Sequence, residues 1–158
     1  MNPNQIMQQG ISLVNTGNLS GGMELINQAI SIDPNDPEKL HARGQIYSAL
    51  KKPNEAIADY KKAIQLNNRV FQYHYNLGNV HFDYRQFQEA VDCYTKAIEL
   101  NPNDSDIYSN RGMCLIQVSK RKDAYNDFKK ALQMNPHDQP AKNGMNILLS
   151  VDPSLANQ

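Results

Sequence analysis

The chain has 158 residues, of which 40% are hydrophobic, and its 16 Lys and Arg residues balance its 16 Asp and Glu residues. A net charge of zero gives no overall field to attract nucleic acid or an anionic membrane surface. The hydrophobic share exceeds that of a disordered chain, and no apolar run is long enough to cross a bilayer. The N-terminus lacks the basic flank and apolar stretch of a secretory signal, and two cysteines, Cys93 and Cys114, suit a reducing compartment. We therefore expect a cytoplasmic protein without a membrane partner.

One phrase of eleven residues recurs along the chain in steps of 34. It reads INQAISIDPND from Ile26, YKKAIQLNNRV from Tyr60, YTKAIELNPND from Tyr94 and FKKALQMNPHD from Phe128. Tiling the chain from Pro3 gives four repeats and a remnant, at 3–36, 37–70, 71–104, 105–138 and 139–158. Each repeat contains two helix-length stretches with apolar or small residues at spacings of three and four. The pattern predicts four helical hairpins in succession.

Breaker and capping residues mark the predicted helix ends. The second helix of each repeat is followed by one of four breakers, Pro34, Asn68, Pro102 and Pro136. An Asp then offers an N-cap to the next helix at three of the junctions, namely Asp36, Asp104 and Asp138. Turn-like clusters, such as TGN at Thr16 and KKPN at Lys51, separate the two helices of a hairpin. Because no segment alternates apolar and polar residues for long, we expect an all-α fold, with a further helix from Pro140 to about Leu149.

Small residues recur in phase and predict close contact between paired helices. The first helices carry Gly10, Gly44, Gly78 and Gly112, and the second helices carry Ala29, Ala63, Ala97 and Ala131. A glycine in a helix interior costs about 0.5–1 kcal/mol relative to alanine, so its recurrence indicates a packing requirement. Large residues in register would fill the remaining space, namely Ile26, Tyr60, Tyr94 and Phe128. A single hairpin cannot bury both faces, whereas stacked hairpins can.

This set of positions resembles the tetratricopeptide repeat, a helix–turn–helix unit of 34 residues. The third repeat carries the pattern most fully, and its matching positions are Leu77, Gly78, Ala90, Tyr94, Ala97 and Pro102. The resemblance implies a right-handed α-solenoid that forms a single domain over residues 1–158, with a capping helix and tail at 139–158. It also implies that the first helices line a concave groove and that the second helices form the convex back. The implied function is that of a protein-interaction module without catalysis or a cofactor.

Within this family, the first-helix faces outside the repeat core hold the bound peptide or helix of a partner. Helical phase places nine candidate peptide-binding residues there: His41, Gln45, Tyr75, Asn76, Asn79, Phe82, Asn110, Met113 and Ile116. The asparagines can hold a partner's backbone because an amide donates and accepts together. The aromatic and aliphatic members would add apolar contact. The same phase also selects eight further residues: Met7, Gln8, Ile11, Val14, Ala42, Gln72, Asp106 and Ser109.

Two known binding modes of the family can be compared with these residues. Asn76 and Asn110 lie one repeat apart, which is similar to the asparagine ladder in the tetratricopeptide domain of O-linked N-acetylglucosamine transferase. Gln8 and Ala42 hold the other two ladder positions. The carboxylate clamp of heat-shock co-chaperones matches only Asn76, and Asp106 would repel a ligand carboxylate. A carboxylate-clamp partner is therefore not expected.

No catalytic, phosphate-binding or metal motif stands out in the sequence. His74 and His81 share a helical face, but both occupy large core positions, so packing explains them better than metal binding. Basic residues cluster in the second and fourth repeats without an aromatic platform, so nucleic acid is not an expected partner. Two alternatives to an interaction module stay open. The chain could be the targeting domain of a larger enzyme, such as a glycosyltransferase, or a structural element that self-associates through its solenoid ends.

Overall fold

The computed structural model of the protein describes residues 2–157. Within them lie nine α-helices and one short 3-10 segment, and there is no strand in this described part of the chain. The helices are α1 (Pro3–Asn15), α2 (Leu19–Ile32), α3 (Pro37–Ala49), α4 (Pro53–Leu66), α5 (Phe71–Asp83), α6 (Phe87–Leu100), α7 (Ser105–Gln117), α8 (Arg121–Met134) and α9 (Gln139–Val151), followed by the 3-10 segment Pro153–Asn157. The all-α prediction is confirmed.

The helix lengths follow the 34-residue period. The first helices, α1, α3, α5 and α7, and the additional helix α9 each have 13 residues. The second helices, α2, α4, α6 and α8, each have 14 residues. Helix α9 begins in the same register as the first helices, so the chain continues the repeat pattern into its last helix.

Side-chain caps fix the starts of several helices as the sequence predicts. Asp36 accepts from the Glu38 amide at 2.9 Å, and Asp104 accepts from the Asp106 amide at 3.1 Å. Asp138 accepts from the Ala141 amide at 2.9 Å. Each cap supplies an acceptor for a first-turn N–H that has no partner within its helix.

The hairpin turns share a backbone conformation that the sequence does not predict. The turn residues Gly17, Lys51, Arg85 and Ser119 all have a positive φ, between 56° and 86°. After each comes a residue whose N–H returns to a carbonyl five positions earlier, as from Lys52 to Tyr47 at 2.9 Å. This is a Schellman arrangement, which satisfies the last carbonyls of the first helix. Only Gly17 adopts the left-handed conformation without strain.

The chain forms two compact units, one up to Val80 and one from His81, so the division falls inside α5. In the first unit, a Cβ added at Gly10 would lie 2.9 Å from Ile26 Cγ1, and one added at Gly44 would lie 2.7 Å from Tyr60 Cε1. These separations leave no room for a side chain, because real Cβ contacts are longer. Close contact through the small residues is confirmed for α1 with α2 and for α3 with α4.

The second unit is organised around Phe128, which is fully buried. A Cβ added at Gly112 of α7 would lie 2.7 Å from the Phe128 ring, and one added at Gly144 of α9 would lie 2.2 Å from it. Two glycines on different helices thus enclose one aromatic ring. This packing holds α9 against α7 and α8.

No helix in residues 2–157 is both long and apolar enough to cross a membrane.

Candidate functional site

A cavity of about 300 Å³ lies between the first helices of the first unit. Three helices contribute to it, α1, α3 and the start of α5, and no second helix takes part. The lining residues are Met7, Gln8, Ile11, Glu38, His41, Ala42, Gln45, Val70, Gln72 and Tyr73. The cavity therefore occupies the kind of surface that the sequence assigns to ligand binding.

Three glutamines give the cavity its polar character. Gln8 comes from α1, Gln45 from α3 and Gln72 from α5, and all three side chains are solvent-exposed. Each amide can donate two hydrogen bonds and accept others, so each can satisfy an extended backbone whatever its sequence. The buried residues Met7 and Ala42 form an apolar floor, each with under 5% of its surface exposed.

His41 links the cavity to the next first helix. Its Nε2 lies 2.7 Å from Asn76 Nδ2, and its ring packs against Tyr73 at 4.8 Å and Tyr60 at 5.6 Å between centroids. Burial lowers the pKa of His41 to about 4, so the imidazole is neutral at pH 7. The neutral Nε2 accepts from the Asn76 amide, and this bond fixes the orientation of that amide.

Charged side chains next to the cavity are mostly paired. The buried Lys39 ammonium donates to Asn4 at 2.9 Å and forms ion pairs with Asp33 and Asp36. Arg43 makes a two-point ion pair with Asp59, at 2.7 Å for each bond. Both cations are therefore directed at carboxylates outside the cavity.

The second unit presents its predicted residues on α7 and at the end of α5. Asn110, Met113 and Ile116 are partly exposed along α7. Phe82 packs edge-on against Phe87, with ring centroids 6.0 Å apart. Ser109 is buried and donates to Asp138 at 2.6 Å, so the expectation that it belongs to an open face is wrong. Its hydroxyl serves instead to tie α7 to the cap of α9.

A second cavity, of about 310 Å³, lies in this unit on the side of the second helices. It is bordered by Arg111, Leu115 and Lys120 among others, and Arg111 makes a two-point ion pair with Asp127 at 2.7 and 2.8 Å. Its lining includes two cations, Arg111 and Lys120, and two carboxylates, Asp123 and Asp127, so it gives no preference for a ligand of either sign.

The structure brings together part of the predicted set. His41 and Gln45 line the first cavity, and Asn76 bonds to His41. Tyr75 and Asn79 are partly exposed on α5. Sequence reasoning missed Glu38, Val70 and Tyr73 as cavity residues. The signal that could have found the His41–Asn76 contact is its separation of 35 residues, one repeat plus one, which the Asn4–Lys39 bond shares.

The two candidate metal-ligand histidines have ordinary hydrogen-bond partners. His74 Nε2 lies 3.2 Å from the Asn68 carbonyl oxygen, and the buried His81 has its Nδ1 at 2.6 Å from Gln86 Oε1. Packing explains His81 as expected, whereas His74 is only partly buried, so the expectation that it holds a core position is wrong. Across the part of the chain that the structure describes, no three His, Cys, Asp or Glu side chains are grouped for a metal ion.

Three family models match the chain, and all three describe tetratricopeptide repeats. They cover residues 44–83, 71–104 and 93–125. Together they span residues 44–125, which is 82 of the 158 residues. The models therefore match just over half of the chain without interruption.

Known proteins of similar sequence or structure support the same family assignment. Human tetratricopeptide repeat protein 6 is 37% identical over 71 residues, which is 45% of this chain and 14% of that protein. A crystal structure of MamA protein matches with a TM-score of 0.89 at 23% identity, over 99% of this chain and 85% of that one. YrrB, described as a TPR protein with an unusual peptide-binding site, matches with a TM-score of 0.84 at 20% identity, over 94% and 76% of the two chains. At these identities, the two structures establish a shared fold.

The 34-residue helix register, the glycine contacts and the family models all indicate the same repeat. The chain belongs to the tetratricopeptide repeat family, whose fold is that of a protein–protein interaction module.

Proposed function

We propose that the protein is a non-catalytic interaction module that binds an extended peptide segment of a partner protein. The observation that carries the proposal is the cavity of the first unit, because it is lined only by first helices and the segments leading into them. Its volume of about 300 Å³ lies at the lower end of ligand-binding pockets. A cavity of that size suits one or two side chains of a peptide, with the rest of the peptide on the surrounding surface.

The chemistry of the lining supports peptide recognition. Gln8, Gln45 and Gln72 would pair with backbone groups of the ligand, while Ile11 and Val70 would contact its apolar side chains. A net hydrogen bond contributes about 0.5–1.5 kcal/mol, so several bonds and apolar burial must act together. We expect micromolar affinity, which corresponds to about 8 kcal/mol. His41 acts by positioning Asn76 through their hydrogen bond.

In the second unit, the proposal retains Asn110, Met113, Ile116 and Phe82 as contact residues. The three α7 residues are partly exposed, and Phe82 keeps part of its ring accessible beside Phe87. They would give the second unit a contact surface of its own, with one amide and three apolar side chains. Tyr75 and Asn79 on α5 complete the proposed set.

Binding of synthetic peptides tests the proposal directly. An array of random eight-residue peptides is probed with the full chain, and the peptides that bind are measured by fluorescence anisotropy. Replacing Gln45→Ala together with Gln72→Ala should weaken binding about tenfold or more, because two hydrogen bonds are lost. The matched control is Gln65→Ala, an exposed glutamine of α4 in the same unit, which should leave binding unchanged.

The amide pair has its own variant. Asn76→Ala together with Asn110→Ala should weaken the same peptides if these amides hold the ligand backbone. Circular dichroism first establishes that the double variant is folded. Unchanged binding by that folded protein would refute the role of both asparagines.

The two alternative functions are separated by other measurements. A catalytic domain encoded in frame with this chain would favour the role of an enzyme's targeting domain. A mass by light scattering that rises with concentration would favour self-association through the ends. A constant monomer mass together with peptide binding would support the interaction module.

A further inference from the structure

The cavity of the first unit holds one formal charge, the Glu38 carboxylate. The other nine lining residues are three glutamines, aliphatic or thioether side chains, a tyrosine and His41. His41 adds no positive charge at pH 7 because burial lowers its pKa to about 4. The cavity therefore has a net charge of −1 in an otherwise uncharged lining.

Among the residues that the structure describes, the two cations of α3 next to the cavity are paired with carboxylates. Lys39 is bound to Asp33 and Asp36, and Arg43 is bound to Asp59. Helix α1 contains no charged residue at all. Arg69 precedes the lining residue Val70, but its side chain is exposed and is not part of the lining.

The direction of one pKa shift supports a negative charge beside the cavity wall. The pKa of Tyr73, one of the lining residues, is raised by burial and then by the charges of Glu38 and Asp36. Both carboxylates therefore act on the wall formed by α5. Asp36 already serves Lys39 and the cap of α3, whereas Glu38 faces the cavity.

We infer that the bound peptide carries a basic side chain, Lys or Arg, that pairs with Glu38 while the flanking backbone lies on the glutamines. This inference rests on the proposed peptide-binding function and specifies its ligand class. Glu38 is exposed, so the ion pair contributes modestly and is weakened by salt. Replacing the basic side chain by a neutral one of the same shape should weaken binding about two- to fivefold.

The experiment uses the full chain and an array of random eight-residue peptides with acetylated N-termini and amidated C-termini. The best-binding arginine peptide is compared with the same peptide carrying citrulline, which keeps the shape and removes the charge. Glu38→Gln should weaken the arginine peptide about two- to fivefold and abolish its advantage over citrulline. Glu55→Gln is the matched control, because Glu55 is an exposed first-turn glutamate of the second helix α4 in the same unit and is not part of the cavity lining, so the change should leave binding unaltered.

The outcomes separate this inference from the function on which it rests. Equal binding of the arginine and citrulline peptides, with loss of both in Gln45→Ala with Gln72→Ala, would overturn the basic-ligand inference and leave peptide binding intact. An array without any bound peptide would overturn both. A third outcome is a neutral peptide that binds only when its N-terminal acetyl group is left off, with this binding lost in Glu38→Gln. That result would show that Glu38 pairs with a terminal ammonium, and it would overturn the inference that it pairs with a basic side chain.

Discussion

The second and fourth repeats hold the same ion pair at matched positions, 68 residues apart. Arg43 bonds to Asp59 at 2.7 and 2.7 Å, and Arg111 bonds to Asp127 at 2.7 and 2.8 Å. The third contact of each guanidinium reaches the preceding second helix, at Asn27 in one case and at Thr95 in the other. The same three-point contact thus recurs after two repeats.

The two ion pairs differ in which neighbouring position supplies an aromatic ring. In the second repeat, Arg43 lies over the Tyr47 ring, one turn later in α3, at 5.8 Å. In the fourth, Arg111 lies over Tyr108, one turn earlier in α7, also at 5.8 Å. The position equivalent to Tyr47 is Leu115, and it borders the second cavity.

This difference shows which features the period fixes and which it leaves free. The backbone repeats closely enough to place an arginine and an aspartate within hydrogen-bond distance in both units. The aromatic residue follows the arginine in one helix and precedes it in the other. Both arrangements are possible because a cation is attracted to the face of an aromatic ring.

The largest expected effect comes from breaking the shared pair. Asp127→Ala should lower the free energy of unfolding by about 3 kcal/mol, since it leaves a largely buried guanidinium without its carboxylate. Burial also raises the pKa of the Asp127 carboxyl, while the Arg111 guanidinium acts to lower it. Asp59→Ala should cost the same within about 1 kcal/mol, because its geometry is the same. Urea denaturation measures both, and a loss below about 1 kcal/mol in either variant would contradict the matched role.

The second effect is a pH dependence of stability that comes from His41. The equivalent position in the fourth repeat is Ser109. His41 has an ordinary pKa of 6.5 when unfolded and about 4 when folded, so only the unfolded state takes up a proton between these values. Stability should therefore fall as pH drops from about 6.5 towards about 4, by at most about 1.4 kcal/mol per pH unit. His41→Ser should flatten this component, as seen by comparing urea midpoints from pH 7 to pH 4.5. Parallel curves for the two proteins would show that the imidazole is not the source.

The smallest effect concerns the hairpin turns of the same two repeats. Ser119 has a φ of 63° and Lys51 a φ of 56°, where a side chain is strained. Ser119→Gly should raise the free energy of unfolding by about 0.5–1 kcal/mol, because glycine adopts this conformation without that strain. Gly17→Ser, at the turn with a φ of 86°, is the reverse control and should destabilise the protein. Thermal denaturation detects both changes, and a loss of stability in Ser119→Gly would refute the strain.

Much of the fold could be predicted because the relevant signals are local. Breakers such as Pro102 and caps such as Asp104 act within a few residues, so the sequence locates helix ends directly. The positive φ of Arg85 could not be predicted, since arginine has no preference for that conformation. The candidate site was found only in part. Helical phase places His41 and Gln45 on the correct face, whereas the contribution of Tyr73 from α5 depends on how neighbouring repeats meet.

The sequence by itself determined the repeat length, the helices and the tight glycine contacts, because strict periodicity forces equivalent residues into equivalent environments. Tertiary structure alone decided that Ser109 is buried on Asp138, that Asn76 is held by His41 and that one unpaired carboxylate faces the first cavity. The physical reason is that these outcomes depend on which side chains meet across neighbouring helices. Helical phase gives the direction of a side chain, whereas burial and hydrogen bonding are set by what lies opposite it.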